Sequence, residues 1–363
     1  MKKIKISIFI GLISTLILFA GCTKEQEPGR KTIEKGNKKI TVILDKNHTV
    51  GEDVVDKIQV YEKVKGYGWL EDNEIFGIIE DEKIEKEIQD EVYDLRNIPF
   101  LKEKIVSPEN LPYGHINISP DKKKVFYVNE ARQIGYILNL KGKIKASVKG
   151  LYASELSEAI WVNNEELVMP DKGTGFYIIN INGKETKIED VENEENISKA
   201  IKLGNRIYYT TQNELDRKMK VYDISTKEKK LFIEDRVMDF HLSLKGNEFI
   251  LETSNLKEDK NSLLLVDLEG KNKDVVAEGR MIYGTSLSHD GSKLAYIVNS
   301  RGEGEEGLFL IDLEKNKRNQ LSTSYLDIET ELKWNPSGNK IMINAGEVKE
   351  GKWLNKTHVI TLK

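Results

Sequence analysis

A short apolar strand introduced by a polar turn returns seven times along this 363-residue chain, and any fold assigned to it has to explain that period. The copies are Glu71-Asp72-Asn73-Glu74-Ile75, Asp121-Lys122-Lys123-Lys124-Val125, Asn163-Asn164-Glu165-Glu166-Leu167, Leu203-Gly204-Asn205-Arg206-Ile207, Lys245-Gly246-Asn247-Glu248-Phe249, Asp290-Gly291-Ser292-Lys293-Leu294 and Ser337-Gly338-Asn339-Lys340-Ile341. Measured between the closing apolar residues, the steps are 50, 42, 40, 42, 45 and 47 residues. A second motif, an apolar strand with Asp or Asn near its end, keeps the same time. Its copies are Val92-Tyr93-Asp94-Leu95, Ile137-Leu138-Asn139-Leu140, Ile178-Ile179-Asn180-Ile181, Val221-Tyr222-Asp223-Ile224, Leu265-Val266-Asp267-Leu268 and Leu310-Ile311-Asp312-Leu313, while the last, Val359-Ile360-Thr361-Leu362, lacks the acid.

The apolar runs are short, rich in Ile, Val and Tyr, and bounded by turn residues, which favours strands over helices. Pro120 presets φ, Asp121 can bond the backbone ahead of it, and Gly291 and Gly338 supply positive φ. Each unit of about 44 residues then holds an inner strand, a middle strand, the Asp-bearing strand and a fourth strand such as Lys317 to Ser322. Four strands at this period predict an all-β fold, a β-propeller. Seven four-stranded blades are the expectation, with six or eight as alternatives.

The seventh unit runs out of residues after its third strand, and an extra strand-like segment, Lys57 to Lys63, precedes the first. We expect this N-terminal strand to complete the last blade, because joining the two ends hides two open strand edges. Trp69, Trp161 and Trp334 fall at matching places on inner strands and are expected to serve blade-to-blade packing.

Ahead of the repeats stand Lys2, Lys3 and Lys5, an apolar run from Ile6 to Ala20, and Gly21-Cys22. That order is the one found in a secretory signal, and the apolar run is shorter than the roughly twenty residues of a membrane-spanning helix. Cys22 is the only cysteine, so no intramolecular disulfide can form. Leu18-Phe19-Ala20-Gly21-Cys22 resembles a bacterial lipobox, with Phe19 where an aliphatic residue is usual. The resemblance implies lipid transfer to the Cys22 thiol, cleavage before it, and anchoring at the outer face of the cytoplasmic membrane. An unmodified cysteine in an ordinary secreted protein is the alternative. The expected layout is a signal peptide over 1–21, the lipidated cysteine and a flexible tether over 22–38, and the propeller over 39–363. Losing the three signal lysines takes the formal charge from -4 to -7, which disfavours nucleic acid as a partner.

Ser119-Pro120-Asp121, Leu287 to Tyr296 and Trp334 to Ile341 resemble the Ser-Pro-Asp-Gly-Lys repeats of TolB-like propellers, a class often described as WD40-like. The resemblance spans about residues 57 to 363. It implies a rigid disc whose loops and central channel grip other proteins or peptides. TolB itself carries an α/β domain ahead of six blades, and only about 35 residues lie here between Cys22 and the first strand.

Parts for catalysis are sparse. There is no Gly-x-Ser-x-Gly pentapeptide, and the five histidines, His48, His115, His241, His289 and His358, show no metal-ligand spacing. From their local turns His115, His241 and His289 sit at different depths, so no convergence is expected; His115 could reach the channel mouth. No cofactor, metal or catalytic residue is assigned. Acidic connections are the clearest surface feature, notably Glu80, Asp81 and Glu82, and Glu303, Glu305 and Glu306. The connections between middle and Asp-bearing strands and those between blades open on one face, so these residues are the candidates for holding a basic partner segment or a divalent cation, or else they are solvated loops. A membrane-anchored, extracytoplasmic module that binds a protein or peptide partner is the leading expectation; a propeller lyase or hydrolase, or a small-ligand or cation-binding lipoprotein, are the alternatives. Metabolic labelling with a fatty acid tests the anchor: the wild type should take up label and Cys22→Ala should not.

Overall fold

The computed structural model describes residues 30–35, 38–43, 54–79, 92–93, 104–106, 111–112, 115–130, 132–149, 152–171, 175–188, 197–211, 217–243, 246–271, 273–300, 305–322, 332–349 and 352–363. The expected signal peptide, Cys22, Glu80, Asp81, Glu82 and Glu303 lie outside the described residues. The chain divides into two compact units, Met1–Gly51 and Glu52–Lys363. In the first, Arg30–Lys35 and Lys38–Ile43 pair as an antiparallel hairpin, within the stretch read from sequence as tether and propeller start.

The second unit is a β-propeller with six four-stranded antiparallel blades among the described residues. Blade 1 covers 115–148, blade 2 covers 160–188, blade 3 covers 197–233, blade 4 covers 237–279 and blade 5 covers 281–322. Blade 6 takes three strands from the C-terminus, Lys333–Trp334, Lys340–Lys349 and Lys352–Leu362. Its fourth strand is Val55–Glu62, antiparallel to Lys352–Leu362 with Val60 opposite His358. The expected closure of the last blade by the N-terminal strand is therefore observed.

Seven four-stranded blades were expected, and the count of six corrects that. The first repeat builds a three-stranded sheet instead: Val64–Glu71 pairs antiparallel with Glu74–Ile79, and Lys104–Val106 lies parallel to the latter. Val92–Tyr93, expected as the third strand of that sheet, pairs with Leu111–Pro112. Three of the seven prolines, Pro99, Pro108 and Pro112, fall in this unit, which is also the longest. The later segment Lys104–Val106 takes the third position in this sheet, which breaks the antiparallel meander that builds the other sheets.

Among the described residues the propeller sheets bury apolar side chains on both faces, each face covered by the neighbouring sheet. The middle strand Lys124–Asn129 is buried along its whole length. Phe232 and Tyr208 of blade 3 meet Phe240 and Phe249 of blade 4, and Ile250 and Leu263 of blade 4 meet Tyr296 and Phe309 of blade 5. The three-stranded sheet closes the ring, packing Trp69 and Ile75 on Met342 and Val359 of blade 6, and Leu70 and Phe76 on Val125 and Tyr127 of blade 1. The tryptophans act as expected from their positions. Trp69 donates its indole N–H to the Lys333 carbonyl, Trp161 to Asn117 and Trp334 to Ser286, at 2.9, 3.0 and 3.0 Å, so each ties its inner strand to the preceding sheet.

The two repeat motifs are turn devices. Ser119 donates its hydroxyl to the Asp121 carboxylate at 2.6 Å and accepts the Lys124 backbone N–H, and Ser288, Asp290 and Lys293 repeat the arrangement. Gly291 and Gly338 adopt φ of 72° and 66°. The acid or amide ending the third strand receives the N–H groups of the following turn. Asn139 accepts from Lys141 and Lys143, Asn180 from Asn182 and Lys184, and Asp267 from Glu269 and Lys271. Blade 6 explains the lost acid at Thr361: its fourth strand comes from the other end of the chain, so no turn follows that needs a cap.

Ring closure depends on a buried polar joint. The Gly66 N–H donates to Asn344 Oδ1 and Thr357 Oγ1 at 2.9 and 3.0 Å, Asn344 Nδ2 donates back to the Gly66 carbonyl, and the Thr357 hydroxyl donates to Val64. Thr357 is fully buried. Replacing it with Val keeps the shape but removes the hydroxyl bonded to the Gly66 N–H and the Val64 carbonyl, a loss of about 1–3 kcal/mol; chemical denaturation of Thr357→Val should show it.

Candidate functional site

A cavity of about 700 Å³ is lined by residues from the inner strands of blades 1, 2, 3, 4 and 6, which places it on the ring axis. Its polar wall includes His115, Asn117, Lys199, Asp239, His241 and Lys333, and its apolar wall includes Phe126, Val128, Leu156 and Trp161. Leu156 belongs to α1, Ala153–Leu156, a single helical turn that leads into blade 2.

The densest chemistry sits on blade 4. Along the inner strand Val237–Leu242, Phe240 is fully buried in the interblade core. Strand alternation then turns its neighbours Asp239 and His241 the other way, and both reach the cavity. A bulge after Val237 sets Asp239 directly opposite Glu252 on the middle strand Glu248–Asn255. Asp239 Oδ2 lies 3.1 Å from His241 Nε2, and Asp239 Oδ1 accepts from Lys199 Nζ of blade 3 at 2.7 Å. The Lys199 ammonium stands 5.5 Å from the centre of the Phe240 ring. Glu252 is only 5% exposed and accepts from the hydroxyl and backbone N–H of Thr285 on blade 5.

The facing carboxyls hold their protons differently. Burial alone would push Asp239 up, but Lys199 and His241 outweigh it and keep the group well below the usual carboxylate range. Burial pushes Glu252 up, the Asp239 charge adds to the shift, and the Thr285 and His241 contributions are too small to reverse it. One carboxylate and one acid inclined to keep its proton thus share a site with an imidazole and an ammonium. One ligand atom from each of Asp239, His241 and Glu252 can be chosen so that all three lie within 4.8 Å of one another, which makes these residues candidate metal ligands.

Of the acidic loop residues, the two that are described, Glu305 and Glu306, do not line this cavity. The Glu305 carboxylate pairs with Arg318, whose guanidinium lies 4.1 Å from the Phe309 ring centre and donates to Tyr296 Oη. Glu306 is half-buried, and its carbonyl accepts from the Gln320 side chain. Among the described residues, then, Glu305 pins its loop to blade 5. His289 stays in its turn, away from the cavity lining, with its pKa lowered by burial. His115 does face the cavity, its Nε2 3.3 Å from Glu130.

Spacing along the sequence did not show which side chains meet here. His115 and His241 line one cavity although they sit at different distances from their turns, ten and eight residues before Val125 and Phe249. Both distances are even, and on strands parity decides the face. Histidine spacing also could not show that Asp239, His241 and Glu252 meet, because the cluster holds one histidine and two acids. The available signal was Glu252 itself: at three residues past the closing apolar position the seven units carry Ile78, Val128, Pro170, Thr210, Glu252, Ile297 and Asn344. Only one is charged.

Sequence comparison finds no matching family model and no matching curated protein. Structure comparison finds the propeller fold in oligogalacturonate lyase in complex with manganese, at TM-score 0.58 and 10% identity over 92% of this chain and 96% of that one. The oligogalacturonate lyase of Vibrio parahaemolyticus aligns at TM-score 0.55 and 9% identity over the same shares. A β-propeller domain from Myceliophteria thermophila aligns at TM-score 0.50 and 8% identity over 87% and 99%. These similarities are similarities of fold. Among the described residues no helix is long and apolar enough to cross a membrane.

The raised Glu252 pKa has a sign. A carboxyl that titrates higher when folded than its usual 4.5 helps the fold most below that pH and loses its contribution as pH rises. In chelator-treated protein Glu252→Gln should therefore gain stability over the wild type at pH 7, with the gap narrowing toward pH 4, as read by thermal unfolding.

Proposed function

We propose that this chain is a lipid-anchored, extracytoplasmic propeller that binds a protein or peptide segment of the cell envelope, with the axial cavity receiving part of the partner. The observation that carries the reading is the cavity itself. Its volume, about 700 Å³, falls in the range of roughly 300–1,000 Å³ typical of ligand pockets. Charges of both signs, Lys199 and Lys333 against Glu158 and Asp239, stand around its wall. Most of them sit on inner strands, which hold a recognition surface with little entropy left to lose on binding. The signal-like N-terminus and Cys22 support anchoring outside the cytoplasm. A second reading, a lyase acting on acidic oligosaccharides, draws on the acid, imidazole and ammonium at blade 4. Rising ultraviolet absorbance of an unsaturated product on incubation with oligogalacturonate would favour it.

Site-specific photo-crosslinking in intact envelopes tests the binding reading. A crosslinker at Glu158, exposed at the cavity, should trap a discrete partner, and one at Lys271, on an outer turn, should not. Equal yields at both positions, or none at Glu158, would count against it. Cys22→Ala should move the protein out of the membrane fraction.

A further inference from the structure

We propose that Asp239, His241 and Glu252 form a binding site for one divalent transition-metal ion in the wall of the axial cavity. All three ligands come from blade 4, and the inference does not depend on the anchor or on the nature of the partner.

Geometry comes first. Ligands held at about 2.0–2.2 Å from one metal lie within about 4.4 Å of each other. The three donor groups already lie within 4.8 Å, so side-chain adjustments of about an ångström draw them onto one ion. They are also carried by regular structure. Asp239 and His241 alternate along one strand, and Glu252 faces Asp239 across the ladder. Strand pairing holds the three Cα positions whether or not a metal is bound, so little ordering is required on binding.

Glu252 supplies an independent observation. It is buried at the joint between blades 4 and 5, where a carboxyl costs free energy unless something compensates it. Among the described residues its hydrogen bonds come from Thr285 alone and go to Oε1, which leaves Oε2 for another bond. Sister repeats fill this position with Thr210 or Asn344, neutral residues that make hydrogen bonds without a charge. Packing and hydrogen bonding would therefore have been served by a neutral side chain. A cation accounts for the carboxylate.

Donor chemistry selects the class of ion. One imidazole nitrogen with two carboxylates suits manganese, iron, cobalt or zinc, whereas calcium and magnesium favour all-oxygen sets. Three protein ligands leave further positions open, and because Asp239 and His241 line the cavity while Glu252 lies behind them, the open side faces the cavity. Lys199 holds Asp239 Oδ1 from blade 3, so its ammonium competes with a metal for that carboxylate.

Isothermal titration of the full chain in detergent, free of affinity tag and stripped with chelator, tests the site using Mn²⁺ and Zn²⁺, with Mg²⁺ and Ca²⁺ for contrast. One equivalent of Mn²⁺ or Zn²⁺ should bind at least tenfold more tightly than Mg²⁺. Glu252→Gln and His241→Asn should each weaken binding at least tenfold while unfolding as cooperatively as the wild type, and Lys199→Met should hold or strengthen it. Bound Mn²⁺ should also lose its free-ion electron paramagnetic resonance signal. Absence of stoichiometric binding, or affinity unchanged in both Glu252→Gln and His241→Asn, overturns the proposal and leaves the cluster a charge network balanced by Lys199. Should one variant fail to fold, the other decides.

Discussion

The propeller sheets carry buried apolar residues on both faces where they are described, and that constraint governs the rest. A two-faced sheet in water must be covered twice, and the only arrangement in which a row of such sheets leaves none uncovered is a closed ring. Closure is therefore an energetic requirement, and the chain meets it with Val55–Glu62 at the last blade and with the three-stranded sheet between blades 6 and 1. The buried joint of Gly66, Asn344 and Thr357 makes that seam specific, since polar groups placed there cost free energy in any register that leaves them unpaired.

The same closure creates the site. Inner strands converge on the axis, so side chains far apart in sequence, such as Asn117, Lys199, Asp239 and Lys333, come to line one cavity. Strand alternation sorts each inner strand into a core face and an axial face, and blade 4 uses this to bury Phe240 while presenting Asp239 and His241. Charge balance around blade 4 crosses blade boundaries, with Lys199 arriving from blade 3 and Thr285 from blade 5. The charged groups of the cavity wall and the packing of neighbouring blades are thus physically coupled.

Much of the fold was legible because the turns carry their own chemistry. Ser119 and Asp121 bond one another locally, and Asn139 or Asp267 caps the turn that follows it, so these motifs read the same in sequence and in three dimensions. The first repeat was misread because its turn and middle strand obey the pattern while the strand beside them, Lys104–Val106, runs parallel and comes from later in the chain. Local similarity at Val92-Tyr93-Asp94 suggested a third strand, and the ladder selected Lys104–Val106 instead. Glu305 illustrates the opposite difficulty: an acid in an acidic run reads as a solvated charge until Arg318 is found stacked beneath it on Phe309.

The sequence by itself determined the period, the strand class, the turn chemistry and the pairing of the two chain ends, because each of these rests on contacts between near neighbours or on the arithmetic of a repeat. Tertiary structure alone decided the number of complete blades, the parallel third strand, and the meeting of Lys199, Asp239, His241 and Glu252. Those outcomes depend on which strands win competing partners and on how inner strands are phased around the axis. Both are set by contacts between residues of different blades, whose positions no single repeat encodes.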